Sequence, residues 1–303
     1  MTIKSKITVQ LPERFNASTM TGFIESILDN ELKPNSNHII IDFTNLSFIT
    51  SEGVVILHNI TLWLTRNNVK TQFRIPRLSN SPGQANALKY LDDTGFFQLH
   101  LHERLWDSSK LRSTTIEIKE VAIEQYIQWL NFTFFPWLSG RLNQQETGFA
   151  ELNTCLQEIF NNIRDHSQED IGCVFAQHYP AKNRVDISIS DFGVGIPNTV
   201  RKVNALISDE KALALATEEG FTSGQTIRNR GAGLHYLLEC VTLTFNGCLK
   251  IYSGFGELKS YSRKNAAHYR TTKNNCFYPG TLLSISVDDR IIFTGDEEED
   301  FSW

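Results

Sequence analysis

Apolar and polar positions along the chain fall into three stretches with different periods. Over residues 1–110, β-prone runs alternate with helical ones. Ile7–Leu11 is a short β-prone run, and Gly22–Leu28 has helical spacing. His38–Phe43 is a dense β-branched run suited to a strand covered on both faces. Glu52–Arg66 then places Val55, Ile56, Asn59, Leu62 and Trp63 at helical spacing. Lys70–Ile75 reads as another strand, Pro76–Gly83 as a breaker, and a short helix is expected near Leu88–Leu91. Strands alternating with helices predict an α/β layer.

Residues 111–148 form a connector. A β-prone run, Ser113–Ile118, precedes a helix crowded with Tyr126, Trp129, Leu130, Phe132, Phe134, Phe135 and Trp137, which Pro136 is expected to break. Aromatic residues at helical spacing point to core packing between two domains, with a dimerisation surface as the alternative. Residues 149–290 predict a helix (Phe149–His166), a hairpin of Gly172–His178 and Arg184–Ile189 turning at Pro180–Asn183, and strands at Cys248–Tyr252 and Thr281–Val287. The tail, 291–303, is acidic.

Composition narrows the function. With 41% hydrophobic and 21% charged residues in 303, the chain is an ordinary globular protein, long enough for one large or two medium domains. A net charge of -5 without a basic block argues against nucleic acid or an anionic membrane as partner. The start, MTIKSKITVQLPERF, has no apolar segment of the signal-peptide kind, and no run is long enough to span a bilayer, so a cytoplasmic protein is expected. Five scattered cysteines without a C-x-x-C pair read as reduced thiols. His100 and His102 would share a face on a strand, but no third metal ligand lies nearby in sequence.

The chemistry concentrates in the third stretch. Glu158, Asn162 and His166, four apart, run along one side of a helix beside the apolar stripe Leu152, Cys155, Leu156, Ile159 and Ile163. Such a helix can bury its stripe and still present a carboxylate and an amide at the edge of a pocket; taken alone, the row reads more simply as the exposed polar side of an amphipathic helix. Asp191-Phe192-Gly193-Val194-Gly195-Ile196 follows a β-rich run, so a carboxylate sits at a strand end, where it can accept from an exocyclic amine. Its glycines let the backbone approach a flat ligand. Asn229-Arg230-Gly231-Ala232-Gly233-Leu234 opens an apolar helical run, offering backbone N–H groups to phosphates. Thr222, Ser223, Gly224 and Arg228 add hydroxyls, a flexible joint and a cation upstream. Neither a Walker A loop nor a full dinucleotide fingerprint is present. Gly280-Thr281 begins the last strand, where the Thr hydroxyl could support Asp191.

In this order the motifs resemble the GHKL ATP-binding fold of DNA gyrase, heat-shock chaperone ATPases, histidine kinases, MutL-type repair proteins and anti-sigma-factor kinases. Leu156–Asn162 resembles its N box, Asp191–Gly195 its G1 box and Arg230–Leu234 its G2 box. The resemblance implies an α/β sandwich over about 140 residues. It implies that Asn162 holds Mg²⁺ bridging the phosphates of ATP and that Glu158 polarises water or a hydroxyl. Asp191, supported by Thr281, would read the adenine amine. Gly193, Gly195 and Ile196 would line the base pocket, with His166 at its edge. Gly231, Ala232, Gly233 and Leu234 would cradle phosphates, and 197–230 would form a lid.

The first stretch resembles the STAS domain of anti-anti-sigma factors: an apolar strand (His38–Phe43), a loop ending Thr50-Ser51-Glu52-Gly53, then a helix, and later Ala87–Phe96. Glu52 stands where that family's phosphorylated Ser usually stands, as a phosphate mimic or as a helix N-terminal acid. The expected architecture is therefore an N-terminal STAS-like α/β domain fused to a GHKL α/β sandwich. The expected function is ATP hydrolysis or γ-phosphoryl transfer to a protein Ser/Thr, with non-catalytic ATP sensing as the alternative. The partner is an unidentified protein, and a homodimer is open.

Overall fold

The computed structural model describes residues 6–29, 31–76, 82–163, 171–191, 193–221 and 233–291. Helices and strands mix throughout in an α/β arrangement. The chain begins β1 (Ile7–Gln10), β2 (Arg14–Phe15), α1 (Met20–Ile27), β3 (His38–Asp42), β4 (Phe48–Ile49), α2 (Ser51–Arg66) and β5 (Lys70–Arg74). β1, β3 and β5 make a parallel three-stranded sheet with β3 in the centre, which is why its HIIID run is apolar on both faces. β2 and β4 form a small parallel pair beside it.

α2 starts where the Thr50 hydroxyl accepts the Gly53 N–H at 3.2 Å. The helical stripe expected from sequence proves too narrow. Val54 to Thr61 are all buried, because α2 has a sheet on either side. α3 (Pro82–Asp93) and α4 (Phe96–Leu101) follow. His100 lies in helix α4 and His102 just past its end, so the two do not share a strand face; the helix turns Phe96 and Phe97 into the core against Phe43 and Phe73. His100 pairs with His58 of α2, not with His102.

Strand β6 (Lys119–Ala122) lies just beyond the expected run Ser113–Ile118. There only Thr115 bridges to Gln177, because the Ile118 N–H leaves the sheet for the Thr94 carbonyl. The aromatic segment forms α5 (Tyr126–Trp129), a wide turn over Leu130–Phe134, and α6 (Phe135–Leu142). Pro136 does not end the helix; it occupies the first turn of α6, where its missing N–H is tolerated. Tyr126, Trp129, Leu130, Phe134 and Phe135 share a buried cluster with α7 (Ala150–Asn162), while Phe132 is 80% exposed.

β7 (Ile171–Tyr179) and β8 (Arg184–Asp191) form the expected hairpin. Then come α8 (Ile196–Arg201), α9 (Asp209–Ala216) and α10 (Gly233–Glu239). Part of the segment expected as a lid is thus two helices, tied by an Arg201–Asp209 ion pair and by Asp209 accepting the Phe255 N–H at 2.6 Å. β9 (Cys248–Arg263) and β10 (Ala266–Asp288) are far longer than the strands read from sequence. The second sheet is antiparallel, in the order β6-β7-β8-β10-β9. One of its faces carries α7 and α10; against the other lie α1 and α2, with the parallel sheet beyond them.

Candidate functional site

Helix α7 is positioned by its apolar stripe. Leu152, Cys155, Leu156, Ile159 and Phe160 are buried against the sheet and the aromatic segment. Glu158 and Asn162 are half-buried on the flank of that stripe. Two adjacent asparagines end the helix, and their surroundings separate them. Asn161 accepts the Tyr126 hydroxyl at 3.0 Å and so anchors α7 to α5. Asn162 turns instead toward α10. A Cβ on Gly233, the first residue of α10, would stand 2.9 Å from Glu158 Oε2 and 3.5 Å from Asn162 Nδ2. Without a Cβ, Gly233 lets α10 begin close to both side chains; a larger residue there would push the Glu158 carboxylate aside. Leu234, the next residue, packs against the buried cluster and fixes the start of the helix.

The second group gathers at the end of β8. Asp191 and Thr281 are directly opposed across the β8–β10 ladder, so their side chains share a face, and both are buried. This is also the face on which Ile189 and Leu283 meet α7. Asp191 Oδ1 accepts the Gly193 N–H at 2.6 Å, a local turn that fixes the carboxylate. Gly280 has φ +80°, and a side chain there would collide with the Asp191 backbone carbonyl. Gly195, at φ +78°, lies against Ser253, and Ile196 packs on the helical-side cluster.

Ser253 is the residue that sequence reasoning missed. Its hydroxyl donates to the Gly280 carbonyl at 2.7 Å, accepts the Ile196 N–H at 3.0 Å and lies 3.1 Å from Thr281 Oγ1. One side chain thus ties the glycine turn to the strand carrying Thr281. Its only sequence signal was the glycine pair that follows, Gly254 and Gly256.

Glu158, Asn162, Gly233 and Leu234 are therefore together, and so are Asp191, Gly193, Gly195, Ile196 and Thr281. His166, Thr222, Ser223, Gly224, Arg230, Gly231 and Ala232 lie outside the described residues. Among the described residues, no group of three or more His, Cys, Asp and Glu is placed to hold a metal ion. A cavity of about 450 Å³ touches Gly193 and Gly280, with Trp63, Phe255, Phe277 and Tyr278 in its walls; Glu158 and Asn162 do not line it.

The first turn of α2 has a separate role. Glu52 accepts the Ser284 hydroxyl at 2.9 Å and the Ala17 N–H at 3.3 Å, and lies 3.8 Å from Lys250 Nζ. It therefore bridges α2 to β9 and β10. Among the described residues, no helix is long and apolar enough to cross a membrane. In comparisons with known proteins, no family model and no curated protein matches this chain.

Proposed function

We propose that the chain binds Mg-ATP through a GHKL-type sandwich covered by a STAS-like N-terminal layer, and that it hydrolyses the nucleotide or passes its γ-phosphoryl to a protein Ser or Thr. One observation carries this reading: Gly233 packs against Glu158 and Asn162, at a distance where any side chain would fill the space between them. Residues some 70 positions apart in sequence converge there: a carboxylate, an amide and a glycine at a helix start. That donor set suits Mg²⁺, a hard cation that takes few protein oxygens and keeps waters and phosphate oxygens as its other ligands. The Asn162 carboxamide oxygen would hold it, and when bound it would neutralise phosphate charge. Glu158 would accept the proton of water or of a hydroxyl. Asp191, with Thr281 beside it, would accept from the adenine amine.

One contact favours the second reading, an ATP sensor whose output is partner binding. Asn59 of α2 reaches the backbone carbonyl of Asp191, so the first region touches the base-reading residue directly. Glu52, engaged with Ser284 and Lys250, supports a fixed tether more than a phosphorylation switch.

Calorimetric titration with Mg-ATP, followed by incubation with γ-labelled ATP, tests both readings. Glu158→Ala is expected to retain ATP and lose release or transfer of label by about 100-fold or more, the range for a general base. Asn162→Ala is expected to weaken Mg-ATP binding itself. Wild-type protein that binds ATP but releases and transfers no label is a sensor. Folded protein that takes up no adenine nucleotide overturns the proposal.

A further inference from the structure

We infer that Asn59 of α2 and Tyr278 of β10 are positioning residues for the pair Asp191 and Thr281, so that the N-terminal layer sets how well the adenine amine is recognised. The inference rests on the nucleotide reading above and extends it to residues on the opposite face of the sheet. Asn59 and Ser190 are fully buried, and Tyr278 is 1% exposed. Asn59 Nδ2 donates to the Tyr278 hydroxyl at 3.1 Å, and that hydroxyl lies 2.9 Å from Ser190 Oγ. Ser190 in turn donates to the Thr281 carbonyl at 3.0 Å. The Asn59 amide also reaches the Asp191 carbonyl at 3.5 Å, the long limit of a hydrogen bond, and its oxygen accepts from the Cys173 thiol at 3.7 Å.

The donors run one way: Asn59 to Tyr278, Tyr278 to Ser190, Ser190 to Thr281. Both ends of the network therefore land on the backbone carbonyls of the two residues whose side chains face the base. Burial pushes the Tyr278 phenol well up, so it stays protonated and remains a donor. Each bond is shielded from water, so removing one group leaves its neighbour buried and unsatisfied, and the paired stretch around Asp191 and Thr281 shifts to compensate. A shift there changes the direction of the Asp191 carboxylate while leaving Glu158, Asn162 and Gly233 in place.

The test uses the full chain, titrated with Mg-ATP and with Mg-inosine triphosphate, which keeps the phosphates and sugar but lacks the amine. Tyr278→Phe keeps the ring and removes the hydroxyl. It is expected to weaken ATP binding about tenfold, as the loss of one aligned hydrogen bond does, with inosine triphosphate changed less than about twofold. Ser190→Ala, which cuts the same network elsewhere, is expected to act in the same direction and serves if Tyr278→Phe fails to fold. Equal weakening toward both nucleotides, or no change toward ATP in either folded variant, overturns the inference and leaves the nucleotide site standing. Wild-type protein that binds neither nucleotide overturns the site itself, and the inference with it.

Discussion

The two faces of the antiparallel sheet are built from different chemistry. Toward α7 and α10 it presents Val185, Ile187, Ile189, Leu249, Ile251, Leu283, Ile285 and Val287, every one buried. Toward α1 and α2, the same strands present Asp186, Ser188, Ser190, Lys250, Ser284 and Ser286 among fewer apolar residues, such as Tyr252 and Leu282. Alternation of this kind usually marks a sheet with one wet face. Here the polar face is covered by α2, which meets it with Glu52 and Asn59. Apolar burial is non-directional and holds layers together by area. Hydrogen bonds are directional and fix where strands stand. The first face carries most of the cohesion, and the second sets the geometry of the stretch of β8 and β10 that bears Asp191 and Thr281.

The largest effect is expected from breaking the apolar face. Phe160 is fully buried on α7, with its ring stacked on Tyr126 at 5.2 Å between centroids. Phe160→Ala removes that ring from a packed core and is expected to cost about 3–5 kcal/mol. A denaturant titration reads the loss as a lower midpoint. If variants on the polar face cost as much, the division of labour proposed for the two faces is wrong.

How far this arrangement was legible in the sequence follows from the same contrast. The period of β8 and the stripe of α7 are local, so spacing places Glu158 and Asn162 on the flank of a helix and Asp191 at a strand end, while a shared role for them comes only from the resemblance. Gly280-Thr281 reads as a strand start in sequence, but it lies inside β10, which begins at Ala266. Ser253 and Tyr278 were not legible, because they act from an irregular part of the β9–β10 ladder, where the register shifts between Lys273 and Thr281. No period survives such a shift. α2 was read as an amphipathic helix with one buried stripe. Its second buried side depends on a sheet that lies more than 100 residues further along the chain. Glu52 was read as a phosphate mimic or a helix-end acid. Its contacts with Ser284 and Lys250 span over 190 residues, and spacing carries no trace of them.

A second effect belongs to the other side of α2, which faces the parallel sheet. His58 Nδ1 lies 2.8 Å from His100 Nε2. Burial, and then the neighbouring His100, lower His58 to about 3; burial, and then His102, lower His100 to about 4. Both rings are therefore neutral in the fold, while in the unfolded chain they take up protons near pH 6.5. Below that pH the unfolded state binds more protons, so this stability is complete above pH 6.5 and drains as the pH falls toward 4. Between about pH 6.5 and pH 5, each ring is expected to contribute a loss of roughly 2 kcal/mol. Denaturation at the two pH values should show a clearly smaller drop in a His58→Leu, His100→Phe double variant. An equal drop would place the acid sensitivity elsewhere, the carboxylates of the polar face included.

The smallest effect is the most discriminating, because it separates hydrogen bonding from charge on the polar face. Glu52→Ala leaves the Ser284 hydroxyl and the Ala17 N–H without their acceptor, and is expected to cost about 1–2 kcal/mol. Glu52→Gln keeps its oxygen for the Ala17 N–H and presents an amide NH₂ to the Ser284 hydroxyl, which can turn to accept it, so both contacts survive while the charge is given up. That charge interacts with Lys250 at 3.8 Å, whose side chain is 32% exposed, and with the N-terminus of α2. Both contributions are screened, so the Gln variant is expected to lose no more than about 0.5 kcal/mol. Midpoints of the three proteins in one denaturant series decide the matter. A Gln variant close to wild type with an Ala variant clearly below it means the face is held by directed hydrogen bonds. If Gln falls as far as Ala, the tether is electrostatic; the contact between layers then weakens with added salt, and α2 no longer fixes the strands by direction.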